Sequence, residues 1–181
     1  MSTDDGPRPG TTIEAVSALK PAFRPDGTVT AGNCCPLNDG AAAVVIMSDQ
    51  RAAELGLTPL ARIVATRCQC AESGDHGPET SGSHSPRLGN NAGMTINDMD
   101  LVEINEAFAV QVIASAQDLG LDHGAAQRSW RGHRARSSDS DATGARIMTT
   151  LLNAMRVRDV QFGLETMCVG GGQGMADHPG A

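Results

Sequence analysis

The sequence has no tyrosine, one tryptophan and three phenylalanines, so aromatics make up only 2% of its 181 residues. A core built without them must rest on Ala, Val, Ile, Leu and Met, and a hydrophobic content of 40% is enough to form one. No apolar run approaches the roughly 18 residues that a membrane-crossing helix requires, so no membrane partner is expected. Positive charge is also short. Fourteen Lys and Arg face 21 Asp and Glu, a formal charge of −7, opposite to the footprint of a nucleic-acid binder. The opening MSTDDGPRPG shows neither the basic region nor the apolar run of a secretory signal. Five cysteines, an odd number without secretory context, read as reduced thiols. The expected location is cytoplasmic.

What is present divides into ordered and unpatterned stretches. Residues 1–33 are rich in Pro, Gly and Thr, an irregular arm with one helical candidate at Thr12–Leu19. Asn33–Gly40 reads as a turn and Ala41–Met47 as a buried strand. Ser48 is placed to cap a helix over Asp49–Leu55, closed by Gly56. Ala61–Thr66 is a strand. Residues 67–91 then lose apolar content and periodicity and are expected to be a solvated, disordered loop. Cys68, Cys70, His76 and His84 raise the question of zinc. A Cys-x-Cys spacing without a second cysteine pair is not that of common fingers, so no metal is expected.

Order returns at Met94 with a capped turn, a strand at Leu101–Ile104 and a helix from about Glu106 to Leu119, ended by Gly120. Phe108, Val112, Ile113 and Ala116 fall on helical spacing. Asp122–Asp141 is polar and basic; as a stand-alone motif, residues 128–136 could bind phosphate or RNA. A helix over Gly144–Arg158 follows, with Ile147, Leu151 and Met155 at i, i+4 and i+8. The strand Glu165–Val169 runs into Gly170-Gly171-Gly172-Gln173-Gly174. Strands alternating with helices argue an α/β layered fold.

Cys168 stands at the end of that last strand, beside glycines whose backbone N–H groups can approach a ligand closely. A cysteine so placed can exchange a proton with a bound substrate; it can equally be a small buried hydrophobe. Asn105 sits between strand and helix, where side chains commonly face a site and where a turn role is equally open.

Three passages together, LKPAFRPDGTVTAGN with NDGAAAVVIMS, EINEAFAVQ and CVGGGQG, resemble the C-terminal half of the thiolase family. The resemblance implies a partial thiolase-like fold, a mixed sheet between helix layers that lacks most of the N-terminal and loop domains. Residues 1–57 would be the tail of the loop domain and the end of the N-terminal domain, and 58–181 the C-terminal domain. It implies acyl transfer between coenzyme A thioesters. Cys168 would be an acid/base, Asn105 would orient a water or the thioester, and the Gly170 N–H would donate to an oxyanion. The small-molecule partner would be an acyl-CoA or acetyl-CoA, as substrate, with no covalently bound cofactor. A homo-oligomer is the family's usual state.

Departures from the family pattern are as informative. Cys34 and Cys35 stand where the family has Asn-Ala-Ser, and read best as small turn residues. The family's GGAIALGHP, whose histidine is the general base, is missing from the basic stretch; His133 lies several residues early without the flanking pattern. The family's nucleophilic cysteine belongs to its N-terminal half and finds no counterpart here. Codons able to encode Trp130–Asp139, read one base later, permit Gly-Gly-Ala-Ile-Ala-Leu-Gly-His-Pro. The same offset over Gly74–Glu79 permits Glu-Ile-Met-Gly-Leu, and over Ala176–Ala181 it permits Leu-Thr-Ile-Leu-Glu, a closing strand. Segments 67–91 and 122–141 thus read as frame-shifted. The expectation is a catalytically incomplete acyltransferase needing a separate N-terminal half. The alternatives are a non-catalytic remnant or subunit-pairing module, and a metal or basic-patch binder.

Overall fold

A computed structural model describes residues 8–36, 39–70, 93–121, 142–169 and 173–180. Its centre is a four-stranded sheet in the order β1-β4-β3-β2. The strands are β1 Arg62–Cys70, β2 Leu101–Ile104, β3 Gly163–Val169 and β4 Gln173–Gly180. β2 and β3 run parallel, joined by a crossover that includes two helices, whereas β3–β4 and β4–β1 are antiparallel. The α/β layers are those expected from the alternation of elements, and the mixed sheet is that expected from the family resemblance.

Two helices cover the two faces. On α3, Ala109–Asp118, Val112, Ser115 and Ala116 are buried; Val112 joins Val102, Ile104, Leu164 and Ala176 in one apolar cluster. On α4, Thr143–Arg158, the predicted stripe Ile147, Leu151 and Met155 is buried, and Leu151 and Met155 pack with Leu101. Strand alternation explains the division: Leu101 and Val102 point to opposite faces, each met by a different helix. Met and the aliphatic residues fill both clusters, as the scarcity of aromatics requires.

The smaller elements follow their local signals. Helix α1, Ile13–Ser17, is capped by Thr12, whose side chain accepts from the Ala15 N–H. Ser48 caps α2, Asp49–Glu54, by accepting from the Arg51 N–H, and Gly56 follows at φ +64°. The turn before β2 is a capping box in which Asp98 accepts from the Thr95 N–H at 2.7 Å.

Four expectations are corrected. Ala41–Met47 forms no strand: Val45 is 84% and Ile46 72% exposed. An apolar run is buried as a strand only if neighbours flank it, and no described strand pairs with this one. β1 continues through Arg67 to Cys70, into the stretch expected to be loop, because pairing with β4 uses backbone groups whatever the side chains. Helix α3 starts at Ala109 rather than Glu106, since Phe108 is extended at φ −139°, ψ 134°. Ile113 is 47% exposed, so the buried stripe of α3 is 112, 115 and 116 instead. Residues 71–92 and 122–141, with His76, His84, His133 and the basic patch, lie outside the described residues.

Candidate active site at the carboxyl ends of β2 and β3

Asn105 and Cys168 come from the same end of two parallel neighbours. β2 and β3 are in register through Ile104↔Thr166, and the Asn105 N–H extends the ladder by donating to the Thr166 carbonyl at 2.9 Å. Cys168 lies two residues further along β3, opposite Gly174 of β4, and is half-buried. Carboxyl ends of parallel strands are where open α/β sheets bind ligands. Gly170 lies outside the described residues, as do the neighbouring Gly171 and Gly172.

The junction between β2 and α3 is held open by the N-terminal arm. Asn33 accepts from the Thr30 N–H at 2.8 Å and donates to the Thr28 carbonyl at 2.9 Å, which fixes a tight turn. The Asn33 carbonyl then accepts from the Ala109 N–H at 2.9 Å, serving as the cap that Phe108 cannot supply. The Cys35 N–H donates to the Ala107 carbonyl at 3.0 Å, and Cys34 bridges Phe108. Phe23 meets Phe108 edge-on at 6.2 Å. These contacts hold 106–108 out of the helix, with a bend at Ala107, and leave Asn105 just past the end of β2. They give Cys34 and Cys35 the backbone role that small turn residues can fill.

Asn105 is buried, and its Oδ1 accepts from Nη2 of Arg146 on α4 at 3.1 Å. Behind this pair lies a row that the sequence reading missed. Glu103 of β2, Glu165 of β3 and Asp177 of β4 occupy successive cross-strand positions, with Thr66 of β1 next in line. They share the α4 side of the sheet, since Leu101, two before Glu103, and Gly163, two before Glu165, both meet Leu151 and Met155. Glu103 is 4% and Glu165 5% exposed. Burial pushes the Glu165 carboxyl up to about 8, with the Asp177 and Glu103 charges adding to the rise and Arg146 opposing it. Burial likewise raises Asp177. The available signal was a glutamate in the middle of each of two apolar strands, LVEI and GLETM.

Among the described residues no group of three or more His, Cys, Asp or Glu is arranged to hold a metal. No helix there is long and apolar enough to cross a membrane.

A sheet layered between helices, with polar residues at the carboxyl ends of its parallel strands, defines a class of α/β protein whose candidate ligand site is that edge, and comparison with known proteins narrows it. The family model for the thiolase C-terminal domain matches residues 57–178, and that for the thiolase N-terminal domain matches residues 1–50. The chain belongs to the thiolase family. It is 45% identical over 176 residues to an acetyl-CoA acetyltransferase of Thiocystis violacea, covering 97% of this chain and 44% of that protein. It is 46% identical over 179 residues to a 3-ketoacyl-CoA thiolase of Enterobacter sp. (strain 638), covering 96% and 45%. The crystal structure of human mitochondrial 3-ketoacyl-CoA thiolase in complex with CoA superposes with a TM-score of 0.83 at 36% identity, covering 100% of this chain and 45% of that one. The chain therefore spans about half the length of the relatives it matches, and it is a partial thiolase.

Proposed function

We propose that this chain carries one half of an acyl-transfer site for coenzyme A thioesters and is catalytically incomplete as the 181 residues stand. The observation that carries the reading is that Asn105 and Cys168 both lie at the carboxyl ends of the parallel pair β2 and β3. In the acyl-transfer reaction a separate cysteine thiolate, from an N-terminal half, takes the acyl group from the thioester and expels the coenzyme A thiol. Cys168 exchanges a proton with the second substrate, at its carbon in condensation or its thiol in thiolysis. The Asn105 amide orients the thioester or a water, and the Gly170 N–H donates to the oxyanion. Loss of such a donor typically costs about a hundredfold or more in rate. Groups that act as a unit give little acceleration in part, so the chain alone should be inactive. The substrate is an acyl-CoA of acetyl or 3-ketoacyl type, and no cofactor is covalently held.

The deciding assay is loss of the acetoacetyl-CoA absorbance in the presence of coenzyme A. It is run on the chain alone, on the chain mixed with the N-terminal half of the Thiocystis violacea relative, and on that mixture with the Gly-Gly-Ala-Ile-Ala-Leu-Gly-His-Pro stretch restored. Turnover only in the third, abolished by Cys168→Ala, is the expected result. Turnover by the chain alone overturns the incompleteness, and no turnover in any of the three overturns the acyl-transfer role.

A second reading, a non-catalytic module that pairs with a thiolase subunit, is favoured by exposed Val44, Val45, Ile46 and Met47. An apolar run left open in this way is suited to burial against another chain. A homo-oligomer would bury the same surface.

A further inference from the structure

Arg146 reaches Asn105 with one nitrogen only. Its Nε and Nη1 are buried with no hydrogen-bond partner, and so is Oε2 of Glu165. Three orphaned polar atoms on facing elements, α4 and β3, are costly in a packed interior. Glu165 offers an acceptor and the guanidinium offers donors, and both faces on which it can grip a carboxylate in fork geometry, Nε with Nη2 or Nη1 with Nη2, include the nitrogen now on Asn105. The guanidinium therefore has two partners to choose between, the Asn105 amide and the Glu165 carboxylate.

The ionisable groups facing this spot are Glu103 from β2, Glu165 from β3, Asp177 from β4 and Arg146 from α4; β1 contributes the neutral Thr66. With all four ionised, the layer between sheet and helix would hold three negative charges against one positive. Buried like charges in adjacent positions do not all ionise together. One proton on the middle member of the row lowers the imbalance most, because Glu165 has an acid on each side.

We propose that Glu165 is a proton-controlled latch that decides whether Arg146 holds Asn105. With Glu165 protonated, Nη2 donates to Oδ1 as observed at 3.1 Å. That bond turns the amide so that its NH₂ faces away from α4, presenting donors to the strand-end site. When Glu165 gives up its proton to solvent, the new carboxylate takes Nε and Nη2 in a bidentate pair, which draws Nη2 from Asn105. The amide is then free to rotate. Burial and the neighbouring acids raise the carboxyl to about 8 while Arg146 stays on Asn105, and the new ion pair brings the midpoint of the switch below that value. The latch concerns the Asn105 side chain itself and stands independently of the acyl-transfer reading.

The test is NMR titration of the full chain from pH 5.5 to 9.5, with the glutamate carboxyl carbons labelled with ¹³C and the Asn side-chain and Arg Nε positions with ¹⁵N. In the unmodified protein, one glutamate carboxyl is expected to titrate with a midpoint two or more units above the others. The Asn105 NH₂ and Arg146 Nε–H resonances should move with that same midpoint. In Glu165→Gln those two resonances should stay at their low-pH positions throughout. In Asp177→Asn the shared midpoint should fall. Three results overturn the proposal: all glutamates titrating below pH 6, an Asn105 amide that does not follow the high midpoint, or a titration unchanged in Glu165→Gln. The first two are read on the unmodified protein and need no variant to fold.

Discussion

Gly163 opens β3 at the place where α4 presses hardest on the sheet, and adding a single methyl there gives a quantitative test of the packing. A Cβ at position 163 would lie 2.7 Å from Met155 Sδ and 3.0 and 3.2 Å from the two Leu151 methyls. Ordinary contact needs several tenths of an ångström more from Leu151 and about 1 Å more from Met155. Both are buried, so either can yield only by displacing its own neighbours. Overpacking of this kind costs about 1–3 kcal/mol, while replacing a strand glycine returns roughly 0.5–1 kcal/mol. Gly163→Ala should therefore destabilise, by up to about 2.5 kcal/mol. Met155→Ala alone should cost about 2–5 kcal/mol, from lost burial and a cavity. That cavity lies where the new methyl would go, so in the Met155→Ala background Gly163→Ala should be neutral or stabilising. The favourable coupling should be about 1–3 kcal/mol. Urea unfolding of the four proteins measures it. Additivity within about 0.5 kcal/mol, or stabilisation by Gly163→Ala alone, would refute the close approach of β3 and α4.

Two further outcomes can be read in similar experiments. Because the folded Glu165 carboxyl is raised from 4.5 to about 8, the folded chain keeps a proton that the unfolded chain gives up. Its contribution is full below about pH 4.5 and is lost as pH rises to about 8, at up to about 1.4 kcal/mol per unit. Glu165→Gln should flatten the pH dependence of the melting temperature across that window, and an unchanged slope would sink the assignment. Val45→Lys and Ile46→Lys replace exposed side chains, so each should leave stability within about 0.5 kcal/mol. Both should reduce self-association measured by light scattering; a large stability loss would mean that the run is buried.

Periodicity made the scaffold legible where a segment buries one face by itself. Ile147, Leu151 and Met155 announce α4 because their spacing alone defines a stripe, and Ser48 and Gly56 bound α2 by local hydrogen bonding and backbone geometry. Ala41–Met47 misled because the same apolar run is a strand only if other strands flank it, which no local pattern can report. The start of α3 was missed for a related reason: Asn33 and Cys35, some seventy residues upstream, take up the backbone groups of Ala107 and Ala109. Asn105 and Cys168 became candidates through motif resemblance. Arg146, Glu103, Glu165 and Asp177 were not, because their meeting depends on strand register and helix docking, and each looks like an ordinary charged residue in one dimension.

β4 joins these two themes, since it is a central strand written with residues that suit the position poorly. Asp177 stands opposite Glu165, and like charges in directly paired positions destabilise a sheet. Pro179, buried and paired with Ile63, has no N–H to offer either neighbouring strand. The one-base offset over Ala176–Ala181 permits Leu-Thr-Ile-Leu-Glu, which has no proline and puts no acid inside the strand. If that offset describes the ancestral strand, restoring its character should relieve the acid row as well as the ladder. Asp177→Thr isolates the first effect: it removes one charge beside Glu165 and supplies a β-branched residue. Stabilisation of about 0.5–1 kcal/mol is expected at pH 8, on the scale of cross-strand charge pairs. A smaller gain is expected at pH 5, where the proton on Glu165 already relieves the repulsion. The difference between the two pH values separates charge relief from strand propensity, which would act equally at both. An equal gain at pH 5 and pH 8 would mean that Asp177 does not feel Glu165, and the row would lose its electrostatic meaning.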